Sequence, residues 1–205
     1  MSAALLQGMA LGASMIIPLG AQNSYVLSQG IKRNNHFLAA TLCMLCDIIL
    51  IAVGVFGGGK LIASNETLMH VMGWGGMAFL VAYSGFAFFN AWRNHYQSPD
   101  KPKLLTSKKA VIMTTLAVTL LNPHVYLDTV MILGSLAGAF QGQERTYFAI
   151  GAMLASVLWF YSLAGGAAKL APWLGQPKVQ RYIDVFIGLI MMFVAFALFK
   201  SVMNN

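Results

Sequence analysis

An all-α membrane protein with six transmembrane helices is the fold this sequence predicts, and three observations predict it. Of the 205 residues, 58% are hydrophobic and only 9% charged, whereas soluble domains carry charge on about a quarter of their positions. Six apolar runs follow one another, each long enough to cross a hydrocarbon layer that takes about 20 helical residues. Of the 13 Lys and Arg residues, set against 6 Asp and Glu, all but Lys60, Arg145 and Lys200 gather at alternate connections between those runs. A backbone in lipid must satisfy its own hydrogen bonds, which makes such runs helices. The alternating pattern of an outer-membrane barrel is missing. This composition excludes most soluble enzyme classes.

The first run, Ala3 to Leu27, has no Lys or Arg near its start and no small-residue cleavage pattern at its end, so it is expected to be retained as a span. It is interrupted by Pro18-Leu19-Gly20-Ala21-Gln22-Asn23. The second, Phe37 to Gly59, is unbroken and carries Cys43 and Cys46, expected as buried free thiols, with Asp47 close to its centre. The third is Leu68 to Asn90. After it, Asn94 to Ser107, with Pro99 and Pro102, reads as a linker. The chain thus divides into a three-helix half over residues 1–93, a cytoplasmic linker over 94–109 and a second three-helix half over 110–205. The fourth run, Ala110 to Phe140, is interrupted at Asn122-Pro123. Thr146 to Leu170 and Tyr182 to Phe199 are the fifth and sixth. Gly8-x-x-x-Gly12, Gly54-x-x-x-Gly58 and Gly134-x-x-x-Gly138 are close-packing faces, fit for internal contacts or for a homodimer.

The net charge of +7 raises nucleic acid as a partner, but the position of the bases argues for topology instead. Lys32, Arg33, Arg93, Lys101, Lys103, Lys108, Lys109, Lys169, Lys178 and Arg181 fall on one side, and Lys60, Arg145 and Lys200 on the other. Cytoplasmic loops are enriched in Lys and Arg. The larger group is therefore placed in the cytoplasm, both termini in the periplasm, and no nucleic acid is expected.

The halves resemble each other. Gly57-Gly58-Gly59-Lys60-Leu61 and Gly165-Gly166-Ala167-Ala168-Lys169-Leu170 close the second and fifth runs, and Tyr25 matches Tyr126 in the first and fourth. An odd number of spans per half inverts the second copy, which predicts two inverted repeats with a site at the midplane where they meet.

Two acids stand out there. Asp47 and Asp128 lie among apolar residues at membrane depth, where an ionised carboxylate costs at least about 2.5–3.5 kcal/mol and ordinarily serves a function. None of the bases shares that depth. Such carboxylates persist either as neutral acids or by receiving a cation as substrate. Asp184, beside Arg181 at the start of the sixth run, suits an interfacial structural role. Pro18, Gly20 and Pro123 mark the two helix breaks, since proline lacks a donor and displaces a carbonyl one turn back. Carbonyls freed there, with Gln22, Asn23 and Asn122, can take a substrate ammonium. His124 is a candidate proton relay, and Tyr126 lies in the same string.

Pro18-Leu19-Gly20-Ala21-Gln22-Asn23, Asp47 and Asn122-Pro123-His124-Val125-Tyr126-Leu127-Asp128 together resemble the lysine/arginine exporter (LysE) family, over the whole chain and in motif order, and within it the arginine-exporting branch of bacterial inner membranes. Ala21 stands where that family is expected to have a second proline. The resemblance implies export of basic L-amino acids (arginine, lysine, the analogue canavanine) across the inner membrane, driven by the proton or membrane potential, with no cofactor and no enzymatic activity; the paired Asp47 and Asp128 suit an exchange for protons on the same carboxylates. The residues themselves leave two rivals. A divalent-metal exporter would use the same acids but wants more ligands than His124 adds. An intramembrane aspartyl enzyme would use the two Asp, though no H-E-x-x-H or G-x-S-x-G is present.

Overall fold

The computed structural model describes residues 2–18, 20–57, 66–93 and 107–203. Within these, the side chains at 2, 66–73, 76, 123, 124, 127, 128, 131, 197, 198, 201 and 202 are outside the described set. The side chains of Pro123, His124 and Asp128, the Lys60 motif and most of the linker therefore lie outside the described residues.

Every regular element among the described residues is helical. α1 (Ser2–Ile16) and α2 (Ala21–Lys32) divide the first apolar run and meet at 80°. Pro18 causes the division, because it has no N–H to continue the ladder. The last bond before it runs from Ile17 N to Ala13 O at 2.9 Å, and the next helix begins with Ser24 N donating to Gly20 O at 3.0 Å. α3 (His36–Val55) ends four residues before the expected Gly59, at Phe56 and at Gly57, whose φ of +102° belongs to glycine. α4 covers Glu66–Arg93 and α5 covers Lys108–Leu120. Ser107 caps α5 by accepting from Ala110 N at 3.2 Å.

The fourth run breaks where Asn122-Pro123 stands. Beyond it come α6 (Pro123–Tyr126), a π-helical turn over Leu127–Ile132 and α7 (Leu133–Ala137). α8 (Gln143–Lys169) is continuous, and after a short α9 (Ala171–Leu174) the chain finishes in α10 (Pro177–Met203). α10 starts five residues before the expected Tyr182, which puts Asp184 in the third turn, too far from the helix start for a dipole contact.

Three helical stretches, His36–Val55, Gln143–Lys169 and Pro177–Phe196, are long and apolar enough to cross a membrane, and the bent α1–α2 pair would make a fourth. α8 is the centre of the bundle, with α1, α2 and α3 laid against it, while α4 and α10 run along each other. The tight approaches use glycine. A Cβ at Gly8 would collide with the Phe148 carbonyl and one at Gly151 with the Leu5 carbonyl; one at Gly54 of α3 would meet the Thr129 carbonyl in the π-helical turn, and one at Gly134 of α7 the Gly54 carbonyl. These faces are spent inside the molecule.

Arg33 and Asn35 both hold left-handed backbones, with φ of 50° and 49°, in the three-residue turn between α2 and α3. Arg33 Nε donates to Ala168 O at 3.0 Å, so the ends of α2 and α8 meet and Lys32, Arg33 and Lys169 share one end of the bundle.

Candidate functional site

Both helix breaks border one cavity of about 280 Å³. Pro18, Gly20, Gln22 and Asn23 come to it from the first break, Asn122, Val125 and Thr129 from the second, Asp47 from α3, and Phe193 and Val194 from α10. Unwound backbone at membrane depth is tolerated only where it is buried or lines a cavity, and both breaks do so here.

Among the described residues lining it, Asp47 is the only charged one, and it is 2% exposed. Its Oδ1 accepts from Gln22 Nε2 at 3.5 Å and its Oδ2 from Ser156 Oγ at 2.9 Å. A hydrogen bond to an ionised group is worth about 1.5–3 kcal/mol, so two neutral donors offset part of the cost of burying the charge. They do not neutralise it. No Lys or Arg lines the cavity among the described residues, and a positively charged guest would meet an uncompensated carboxylate.

Asn23 has another task. Its Nδ2 donates to Ile16 O at 2.7 Å and Pro18 O at 2.8 Å, and its Oδ1 accepts from Trp159 Nε1 at 3.1 Å. Those two carbonyls are the ones the break deprives of helical partners. Tyr126 does the corresponding work at the second break, donating its hydroxyl to Leu120 O at 3.0 Å. At both breaks a side chain just beyond the proline reaches back to a carbonyl just before it.

Among the expected site residues, Asp47, Gln22, Asn23 and Asn122 line one cavity together with Pro18 and Gly20. Tyr126 is not among the lining residues, and Asp128, His124 and Pro123 have no described side chains. Cys43 is buried and Cys46 half-buried, both as free thiols. Ser156, Trp159, Thr129 and Phe193 join the site without having stood out in the sequence. Ser156 had a signal: it lies 109 residues after Asp47, the same offset that matches Lys60 with Lys169.

The chain matches the family model described as LysE type translocator over residues 13–201. It belongs to the LysE family. A protein of Yersinia enterocolitica named arginine exporter ArgO is 48% identical over 204 residues, covering 100% of each chain. One of the same name from Pectobacterium carotovorum is 46% identical over 198 residues, 97% of each chain. A protein of Aeromonas salmonicida, provisionally named amino-acid transporter YggA, is 53% identical over 199 residues, 97% of this chain and 96% of its own. No solved structure matches. Membership in this translocator family, together with these relatives, makes this LysE protein an amino-acid exporter embedded in a membrane by its apolar helices.

Proposed function

We propose that this LysE-family protein exports basic L-amino acids, arginine first and lysine with it, across the bacterial inner membrane in exchange for protons. The observation that carries this reading is Asp47, a carboxylate buried at a cavity built by two broken helices, with no basic residue among the described ones lining it. A guanidinium or ammonium supplies the missing counter-charge, and the names of the Yersinia and Pectobacterium relatives favour arginine. Asp128 is the second acid in this reading, with Asn122 and the carbonyls around the breaks completing the substrate shell, and His124 as proton relay.

The coupling follows from charge. Moving a cation out of an inside-negative cell is opposed by about 2.3 kcal/mol per 100 mV. A proton carried inward on the carboxylate that carried the amino acid outward cancels that charge movement. Asp47 then alternates between a salt bridge to substrate and a neutral acid, and neither state leaves a bare charge at the midplane.

The inverted-repeat architecture of six spans fits the packing. α3 lies on α8 and α4 on α10, each pair joining equivalent runs, while α1 against α8 is echoed by α5 and α7 against α3. Asp47 and Ser156, equivalent at the 109-residue offset, touch each other, as residues beside a pseudo-twofold axis would. In this reading residues 1–93 and 110–205 form the halves, the Lys32 end faces the cytoplasm and the termini lie in the periplasm.

Arginine counterflow into proteoliposomes tests the function. Asp47→Asn and Asp128→Asn should each reduce it to near background, and wild-type rates in both variants would overturn the role of the acids.

A further inference from the structure

A second cavity, of about 190 Å³, lies at the basic end of the bundle, where α2 and α4 finish and α10 begins. Its wall holds one base and one acid, Lys32 and Asp184, with the neutral polar groups of Ser28, Asn90 and Gln180. This set differs in kind from the cavity at Asp47, which offers a carboxylate and no base. An α-amino-acid head group carries both charges. Its carboxylate needs a donor such as the Lys32 ammonium with the amides of Asn90 or Gln180, and its ammonium needs a carboxylate such as Asp184.

α2 connects the two cavities. Gly20 lines the first, Ser28 and Lys32 the second, and Ser24 lies between them, so that residues 20, 24, 28 and 32 form one stripe at four-residue spacing. Ser24 is 1% exposed, and its Oγ has no hydrogen-bond partner among the described residues. A buried hydroxyl without a partner carries a desolvation cost that a polar guest accepting or donating there would offset. The apolar residues on either side explain why the stripe is closed: Ala21, Leu80, Ile187 and Met191 pack into one cluster, and Ile187 and Met191 occupy α10 between Asp184 of the second cavity and Val194 of the first.

We propose that the Lys32–Asp184 cavity is a loading site, which holds the zwitterionic head group of an amino acid before the α2–α10 seam opens and passes it along Ser28 and Ser24 to Asp47. This rests on the reading of the chain as an amino-acid exporter. Selection of amino acids over simple amines then occurs at the loading site, and selection of a basic side chain at Asp47.

The test uses the full chain in proteoliposomes, with labelled arginine in counterflow and unlabelled agmatine, which keeps the guanidinium and lacks the carboxylate, as competitor. Lys32→Gln should raise the KM for arginine about tenfold, the worth of roughly 1.4 kcal/mol, and leave agmatine inhibition unchanged. An unchanged agmatine response also shows that the variant is folded. Ser28→Met, which narrows the cavity without removing a charge, should weaken arginine and agmatine together. Wild-type counterflow with an unaltered arginine KM in both variants would overturn the loading site alone. No arginine counterflow in the wild type would remove the exporter reading, and the proposal with it. The zwitterionic head group of phosphatidylethanolamine has the same chemistry, so vesicles are prepared with and without that lipid. A Lys32→Gln effect that disappears without it assigns the cavity to lipid and overturns the proposal.

Discussion

Single hydrogen bonds around Asp47 and Asn23 divide the labour of the site, and each can be removed alone. Ser156 donates to Asp47 Oδ2 at 2.9 Å; its loss in Ser156→Ala takes away a charge-assisted bond but leaves the carboxylate and its cavity in place. Such a bond is worth about 1.5–3 kcal/mol, so arginine counterflow should fall by roughly tenfold or somewhat more, a milder defect than that of Asp47→Asn. A rate equal to wild type would separate Ser156 from the site. Asn23→Ala acts on stability instead, because the Ile16 and Pro18 carbonyls and the Trp159 indole lose their partner at once. With about 1–3 kcal/mol for each buried group left unpaired, the protein in detergent should unfold several degrees lower. Asp47 could be read in the sequence because a carboxylate in an apolar run contrasts with every neighbour. Ser156 and Trp159 could not be picked out so directly, since Ser and Trp are unremarkable in an apolar helix and their partners lie 109 and 136 residues away.

At the level of helices, the positions of the breaks were legible and their consequences were not. Proline and glycine say where a ladder stops, and both apolar runs divide at Pro18 and Pro123. The 80° angle between α1 and α2 comes from packing, for α1 and α2 both lie on α8, and local sequence carries no record of that. The glycine faces show the same limit. Their spacing announces a close approach but does not choose the partner, and the structure chooses α8 for Gly8 and α1 for Gly151. Gly151→Leu should therefore separate α1 from α8 and cut the yield of folded protein sharply, at a cost of about 1–3 kcal/mol or more for overpacking. Gly166 sits in the same α8 with open space where its Cβ would be. Gly166→Ala should stabilise α8 by up to about 1 kcal/mol from helix propensity and so raise the thermal midpoint in detergent. Equal behaviour of the two variants would mean that the α1–α8 contact does not set the fold.

For the whole molecule, the distribution of bases gives an orientation that labelling can check. The cavity at Lys32 draws together the end of α2, the end of α4 and the start of α10, so Lys32, Arg93, Lys178 and Arg181 sit at one end, joined through Arg33 and Ala168 by Lys169. Sequence alone could count these residues on alternate connections; only the helix ends meeting in space show that the count describes one surface. A positive-inside bias of this strength predicts that this surface faces the cytoplasm and the loop before α8 the periplasm. Lys178 and Gln141 are both exposed on these opposite ends, which makes them suitable positions for single cysteines, given that the native Cys43 is buried and Cys46 half-buried. In intact cells a membrane-impermeant thiol reagent should label Gln141→Cys and leave Lys178→Cys unlabelled until the membrane is permeabilised. The arrangement matters for the proposed transport as well as for topology, because on that reading it presents the Lys32–Asp184 cavity to the compartment from which the amino acid is taken. Labelling of Lys178→Cys but not Gln141→Cys in intact cells would invert the bundle, and the Lys32 cavity would then receive the amino acid on its way out.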